Sequence, residues 1–138
     1  MSKINQDLGK AALQGHIEYW QHSLEGIPAV LELPTDRLRP EQHSFAGEMV
    51  VVEWDGEFVK GLRELGRRHG ATLLMTVLAA WGMVLSRLSG QKEVMIGVSV
   101  AGRTPWGLNT EALRVSGQGR VREVLGQVKE RVLDAQKH

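Results

Sequence analysis

Cysteine is absent from the 138-residue sequence, which excludes a disulfide framework and any metal site built on thiolates. Structural disulfides belong to oxidising compartments, so a chain without cysteine suits a reducing one. The first seven residues also lack the apolar stretch of a secretory signal peptide. We therefore expect a cytoplasmic protein.

The chain also lacks a large excess of either charge, because it has 17 Lys and Arg residues and 16 Asp and Glu residues, for a formal net charge of +1. Proteins that bind nucleic acid or anionic lipid generally present a basic surface. The longest apolar run, residues 73–85, is interrupted by Thr76 and Gly82 and is too short to span a bilayer. The composition thus predicts neither a nucleic-acid partner nor a membrane span.

What the chain does contain is the composition of an ordinary globular domain. Hydrophobic residues make up 42% of the sequence and charged residues 24%, values far from those of disordered chains. A chain of this length can form one core and bury roughly two thirds of its unfolded surface. We expect a compact unit over residues 41–138, preceded by a leading helix and an extended linker over residues 1–40.

The spacing of apolar residues predicts helices, and short β-branched or apolar runs predict strands. The expected helices cover residues 7–24, 57–69, 73–88 and 120–136. The expected strands cover residues 49–54, 94–100 and 108–115. Pro34 and Pro40 make residues 31–40 an extended linker, because each proline lacks a donor and restricts its predecessor. The predicted fold class is α/β, with an α+β two-layer arrangement of a sheet packed with helices.

The third expected helix, capped by Thr72 and closed by Gly90, is apolar on almost every side. Such a helix is expected to be buried over most of its surface, which would place Trp81 in the core. The continuous apolar run of residues 94–100 is typical of a strand covered on both faces in a parallel or mixed sheet.

The side chains that usually carry catalysis or bind metals do not form a recognisable site. The five histidines, at positions 16, 22, 43, 69 and 138, never recur at the spacing that places two metal ligands on one helix face. Ser44 and Ser99 lack the flanking glycines of a nucleophile elbow. Residues 117–119, Gly-Gln-Gly, precede a helix but lack the wider dinucleotide fingerprint, so a loop and helix cap is the favoured interpretation.

Two residues in a predicted loop are candidates for partner contacts. Trp106 follows Pro105 in a loop, where its indole is either an exposed contact or packed onto the domain. Arg103, close by, either contacts an anionic partner or is solvated. Residue chemistry alone leads no further than an α/β domain without a visible active site.

Five short motifs follow one another along nearly the whole chain. They are Glu18-Tyr19-Trp20 with Leu24-Glu25-Gly26-Ile27-Pro28; Leu31-Glu32-Leu33-Pro34-Thr35-Asp36-Arg37; Arg67-Arg68-His69-Gly70-Ala71-Thr72-Leu73-Leu74-Met75; Leu88-Ser89-Gly90-Gln91; and Ile96-Gly97-Val98-Ser99-Val100-Ala101-Gly102-Arg103. In order and spacing they resemble the condensation domains of nonribosomal peptide synthetases. A Leu-Pro-Thr-Asp-Arg run after a Tyr-Trp helix is a specific feature of that family.

The resemblance implies a fold and an activity. Whole condensation domains resemble chloramphenicol acetyltransferase, with two similar lobes in a V and the active site between them. They join an amine to an upstream thioester, each delivered on the phosphopantetheine arm of a carrier protein. On this resemblance the chain would be most of the C-terminal lobe, half of such a fold, with a mixed sheet packed with helices.

Two departures from the family pattern bear on function. The family's catalytic signature, two adjacent histidines followed three residues later by Asp-Gly, is expected upstream of the Tyr-Trp helix. It is not in this sequence, and Asp55-Gly56 follows no histidine pair. After Arg103 the family has a longer segment that leads into Gly-Phe-Phe-Val-Asn-Thr, whereas only residues 104–108 separate Arg103 from Asn109-Thr110 here.

The resemblance therefore implies no catalytic residue and no directly bound cofactor or metal in this chain. Asn109, in an Asn-Thr-x-x-x-Arg pattern, is the candidate for lining the substrate tunnel, and Arg103 and Trp106 are candidates for partner contacts. Phosphopantetheine would arrive on partner carrier proteins. We expect a truncated lobe without independent catalysis. The alternatives are a binding module for a carrier protein or synthetase domain, and an acyltransferase half completed by a separate N-terminal lobe.

A homo-oligomer is expected as well. A lobe without its neighbour leaves apolar surface and sheet edges uncovered, and the helix that follows Thr72 contributes much of that surface.

Overall fold

The computed structural model describes residues 3–42, 46–101 and 108–137. In chain order the elements are helices α1 (Lys3–Leu24), α2 (Gly56–Arg68) and α3 (Leu73–Ser89), strands β1 (Glu93–Ala101) and β2 (Leu108–Ser116), and helix α4 (Val121–Ala135). All four predicted helices are present, and two of the three predicted strands. The described part of the chain is an α+β arrangement, as predicted.

The central helices begin and end at residues whose local chemistry favours those ends. Asp55 caps α2, since its Oδ1 accepts a hydrogen bond from the backbone N–H of Phe58 at 2.7 Å. Thr72 caps α3 in the same way, with its Oγ1 accepting from the backbone N–H of Met75 at 3.2 Å. Gly90 ends α3 with a φ of 71°, a left-handed conformation that favours glycine.

The sheet consists of β1 and β2, which pair antiparallel with Glu93 opposite Ser116 and Ala101 opposite Leu108. Val94 and Val115 point to the helices and are buried, whereas Met95 lies on the other face and is exposed. The expectation of a parallel or mixed sheet covered on both faces is therefore wrong for the described strands. Antiparallel sheets commonly pack one face and leave the other to solvent.

The core lies between the inner face of the sheet and helices α3 and α4. Its largest fully buried side chains are Val94, Val115, Val124, Leu125 and Val128. Trp20 of α1, Leu31 and Leu33 of the linker, and Leu65 of α2 are partly buried and pack against it.

Two glycines allow an unusually close approach around the end of the sheet. A Cβ added to Gly82 of α3 would lie 2.3 Å from Val115 Cγ1 of β2, so only glycine fits against that strand. A Cβ added to Gly117, just after β2, would lie 2.0 Å from the Cβ of Ser86 in α3. At Gly82 the backbone of α3 thus packs directly against a side chain of β2, and at Gly117 the backbone after β2 packs against a side chain of α3.

Helix α3 is buried on one side only. Met75, Leu78, Ala79 and Leu85 face the core, but Trp81 on the opposite side is 51% exposed. The expectation that α3 is buried over most of its surface, with Trp81 in the core, is wrong. The helix is apolar on almost every side, but within the described residues the elements that pack against it leave the side of Trp81 open.

Residues 49–54 form neither helix nor strand, so the predicted strand is wrong. Met49, Val50, Val51 and Val52 are all largely exposed. β-branched residues favour strands through packing on a pleated surface, and the described residues offer this segment no pairing strand.

Among the described helices, no single one has the length and apolar character needed to cross a membrane. Only α2 and α3 taken together, bent by 96° at their junction, meet that test of length and composition.

Candidate functional site

The structure places one of the three candidate residues of the sequence. Asn109 lies in β2 opposite Val100 of β1, next to the last pair of the ladder, Ala101 and Leu108. Its backbone is therefore at the end of the strand pair that residues 102–107 connect. Arg103 and Trp106 lie outside the described residues.

At the other end of the strand pair, an ion pair lies on the face of the sheet that points away from the core. Arg114 of β2 and Glu93 of β1 are diagonal neighbours, because Arg114 is opposite Met95 and Glu93 is opposite Ser116. Arg114 Nε donates to Glu93 Oε1 at 2.9 Å, and Arg114 Nη2 donates to Glu93 Oε2. This is the two-point geometry in which a guanidinium and a carboxylate bind most strongly.

The ion pair forms one wall of an open groove of about 440 Å³ between the sheet and α4. The groove is lined by Glu93, Arg114, Ser116, Gln127, Glu130, Arg131 and Asp134. Its charges are mixed, with two arginines and three carboxylates. The groove thus offers polar contacts to a charged group of either sign. Of its two arginines, Arg114 already binds Glu93.

The pKa of Glu93 is lowered below its ordinary value of 4.5, chiefly by the hydrogen bonds from Arg114. Partial burial opposes the shift, and the positive charges of Arg114 and Arg131 add to it. Glu93 therefore stays ionised to lower pH in the folded chain than in the unfolded chain.

This shift predicts a pH-dependent effect of Glu93→Gln. A carboxyl with a lowered folded pKa stabilises the fold above its unfolded pKa, and that contribution is lost as the pH falls through its folded pKa. At neutral pH we expect the variant to be less stable by about 1 kcal/mol or less, the size typical of accessible ion pairs. Below pH 4.5 the difference should shrink.

Urea unfolding at neutral and acidic pH measures this difference. Glu130→Gln is the matched control, because it removes a carboxylate from the same groove and leaves the contact between Glu93 and Arg114 in place. A stability difference for Glu93→Gln that does not change with pH would contradict the assigned cause.

The linker is held to β1 by a side chain rather than by a strand ladder. Gln91, just before β1, donates from Nε2 to the carbonyl of Val30 at 2.9 Å and accepts at Oε1 from the N–H of Glu32 at 3.2 Å. The amide group of Gln91 thus satisfies two backbone groups of the linker, as a neighbouring strand would.

Two arginines make further hydrogen bonds, one just before the linker and one within it. Arg114 uses its remaining Nη1 to donate to the carbonyl of Glu25 at 2.8 Å, just after α1. Arg39 donates to the carbonyl of Leu31 at 2.7 Å. Arg114 therefore joins the outer face of the sheet to the end of the leading helix.

The sequence interpretation missed the roles of Gln91 and Arg114. Both residues belong to the motifs that carry the family resemblance, Leu-Ser-Gly-Gln and Asn-Thr-x-x-x-Arg. Their place in these motifs indicated that the two residues matter, but it did not indicate which backbone groups they bind.

No group of three or more His, Cys, Asp or Glu side chains in the described ranges is placed to hold a metal ion. His16 and His22 lie on α1, and His69 is the C-terminal cap of α2.

A family model described as "Condensation domain" matches residues 1–138. Malpinin synthetase of Mortierella alpina is 41% identical over 136 residues, which cover 91% of this chain and 2% of that protein. A plipastatin synthase of Bacillus subtilis (strain 168) is 42% identical over 130 residues, which cover 87% of this chain and 5% of that protein. The chain thus spans a small part of these relatives.

Among solved structures, the complex of the X-domain and OxyB from teicoplanin biosynthesis contains a similar chain. The match has a TM-score of 0.80 at 27% identity and covers 88% of this chain and 29% of that one.

Proposed function

This chain belongs to the condensation-domain family, and from that premise we propose that it forms part of the C-terminal lobe of a nonribosomal peptide synthetase condensation domain. In the full domain it would contribute to amide-bond formation between substrates bound to carrier proteins. The observation that carries the proposal is the family match over residues 1–138. The similarity to malpinin synthetase and to a plipastatin synthase supports it.

In the proposed reaction the chain lines part of the substrate tunnel and contacts partner domains, and it does not supply the general base. Asn109 would line the substrate tunnel at the end of the strand pair, and Arg103 and Trp106 would contact a carrier protein or a neighbouring synthetase domain. The phosphopantetheine arm, with its thioester, would come with the carrier protein.

A general base must lie within hydrogen-bonding reach of the amine whose proton it removes. The sequence has no adjacent pair of histidines, and we propose that in the full domain this base comes from the N-terminal lobe. The chain alone would then be catalytically inactive.

The test combines the purified chain with carrier proteins loaded with a donor and an acceptor. We expect no peptide product above the background without protein. Adding an N-terminal lobe of a related condensation domain, with its histidine pair, is expected to produce peptide, which mass spectrometry of the acceptor carrier detects. In that mixture Asn109→Ala should lower turnover at least about tenfold, the loss equivalent to about 1.4 kcal/mol of transition-state stabilisation.

Gln118→Ala is the control, because it removes a side-chain amide in the loop beyond the opposite end of the strand pair. Its turnover and its unfolding midpoint should both stay near those of the parent chain. Product from the chain alone would overturn the proposal of inactivity. Equal turnover of Asn109→Ala and the parent would show that Asn109 does not line the tunnel.

A second candidate function is a binding module without chemistry. The similar X-domain structure is a complex with OxyB, so a related fold at 27% identity associates with a separate protein. In the mixture that includes the N-terminal lobe, binding of that lobe or of the loaded carrier protein without any product would favour this function over the enzymatic one.

Three further expectations stay predictions. They are the cytoplasmic location, the division at residue 40 between leader and lobe, and self-association of the chain.

A further inference from the structure

The guanidinium of Arg114 makes hydrogen bonds to two segments other than its own strand. Its Nε and Nη2 donate to the carboxylate of Glu93 in β1, and its Nη1 donates to the backbone carbonyl of Glu25, just after α1, at 2.8 Å. The Arg114 side chain is 21% exposed and that of Glu93 is 36% exposed. Partly buried charges are screened less by salt than fully exposed ones, so these contacts are stronger than those of an ordinary surface pair.

Helix α1 has few apolar contacts of its own with the rest of the chain. Trp20 is partly buried and packs against the core, whereas Leu13 and Ile17 are 59% and 42% exposed. A helix held by so little apolar packing depends on polar contacts for its exact position. The hydrogen bond from Arg114 to the carbonyl of Glu25 fixes the end of α1 to the sheet.

The strand that carries Arg114 also carries Asn109. Both residues lie in β2, five positions apart, which is about 17 Å along a strand. In the proposed full domain, the N-terminal lobe that supplies the base precedes α1 in the chain. Arg114 therefore connects the helix that leads from that lobe to the strand that carries the tunnel residue.

We propose that Arg114 is a positioning residue for condensation, which sets where α1, and with it the N-terminal lobe, lies relative to β2 and Asn109. Glu93 holds the guanidinium in the orientation from which Nη1 reaches the carbonyl of Glu25. Arg114 acts through these contacts on the outer face of the sheet and not on the substrate. This inference rests on the proposed function.

The arrangement requires arginine rather than any cation. A guanidinium presents its N–H groups in a fixed planar fork, which binds both oxygens of a carboxylate and leaves further N–H groups for another acceptor. A lysine ammonium is a single point charge without this fork. Arg114→Lys should therefore keep a positive charge beside Glu93 and lose the contact with Glu25.

Hydrogen exchange of the chain alone tests the contact between Arg114 and α1. In Arg114→Lys the amides of residues 21–27, at the end of α1, should exchange about 3- to 10-fold faster, the effect of losing one hydrogen bond. The amides of α3 and α4 should change less, because their exchange reports the opening of the core. Equal acceleration in all three helices would give Arg114 a general structural role and overturn the proposal.

Arg131→Lys is the matched control, because Arg131 lines the same groove from α4 and the substitution is the same. Its exchange at residues 21–27 should stay close to that of the parent chain. Equal acceleration at residues 21–27 in the two variants would also overturn the proposal.

The effect on catalysis is measured in a full domain in which a related N-terminal lobe precedes this chain. Arg114→Lys should lower kcat about tenfold or more, because small displacements of catalytic groups are costly, and should leave KM for the loaded carrier protein unchanged. Arg131→Lys should change neither. An unchanged kcat, or a raised KM alone, would show that Arg114 does not position the two lobes for the reaction.

The two measurements separate this inference from the proposed function. A parent domain that makes no product would overturn the proposed function and, with it, the part of Arg114 in condensation. The hydrogen-exchange comparison would still decide whether Arg114 holds the end of α1, since it needs no activity.

Discussion

Gly82→Ala should lower the free energy of unfolding by about 1–3 kcal/mol, the usual cost of forcing extra volume into a packed core. The added methyl would lie 2.3 Å from Cγ1 and 3.0 Å from Cβ of Val115. Val115 cannot move aside easily, because it is fully buried and β-branched side chains have few rotamers. The clash should exceed the gain of up to about 1 kcal/mol that alanine brings to a helix.

Gly61→Ala is the matched control for this prediction. Gly61 lies within α2, and an added Cβ would meet nothing within 4 Å. The same substitution should therefore stabilise the chain by about 0.5–1 kcal/mol. Urea unfolding of both variants gives the two free energies, and a change of the same sign in both would contradict the close packing of α3 on β2.

Leu125→Ala should cost about 2–5 kcal/mol, enough to unfold a marginally stable domain. Leu125 is 1% exposed, and it points from α4 into the core. Its neighbours Val124 and Val128 are fully buried on the same helix, so they cannot collapse into the space without leaving their own contacts. The loss therefore combines the transfer of the side chain with an unfilled cavity.

Leu133→Ala removes the same atoms from an exposed part of α4. It should change stability by no more than about 0.5 kcal/mol. Thermal and urea unfolding of the two variants side by side measure the difference. Equal losses of stability in the two variants would mean that α4 does not bury Leu125 and expose Leu133 as the structure shows.

Local chemistry explains why the helices could be predicted from the sequence. The apolar periodicity, the Thr72 cap and the glycine at position 90 each act on nearby residues of one helix, so each signal can be recognised in a short stretch of chain. The bounds of α2, α3, α4 and both strands accordingly lie close to those expected.

The wrong predictions concern which neighbouring elements pack against a given segment. The same β-branched residues that predict a strand at 49–54 are exposed here, because strand formation depends on a pairing partner that no local pattern specifies. The expected burial of Trp81 is wrong for the same reason. The sequence shows that α3 is apolar all round, but only the tertiary arrangement shows which side is left open.

The roles of the candidate site residues stay predictions. The family resemblance singled out Asn109, and the structure places its backbone at the end of the strand pair. The contacts of Gln91 with the linker and of Arg114 with Glu25 join residues 61 and 89 positions apart. Periodicity and spacing contain no information on such distant partners, so these roles had to come from the structure.

The attachment of the linker has a consequence for the order in which the chain opens. A few exposed hydrogen bonds, between Gln91 and residues 30 and 32 and between Arg114 and Glu25, and the partial burial of Leu31 and Leu33 attach this segment to the rest of the chain. Regions with few buried contacts and solvent-exposed hydrogen bonds open at the lowest free energy. The backbone N–H of Glu32 should therefore exchange its hydrogen for solvent deuterium well before the amides of α3 and α4, and the leader should detach from a sheet and helices that remain folded.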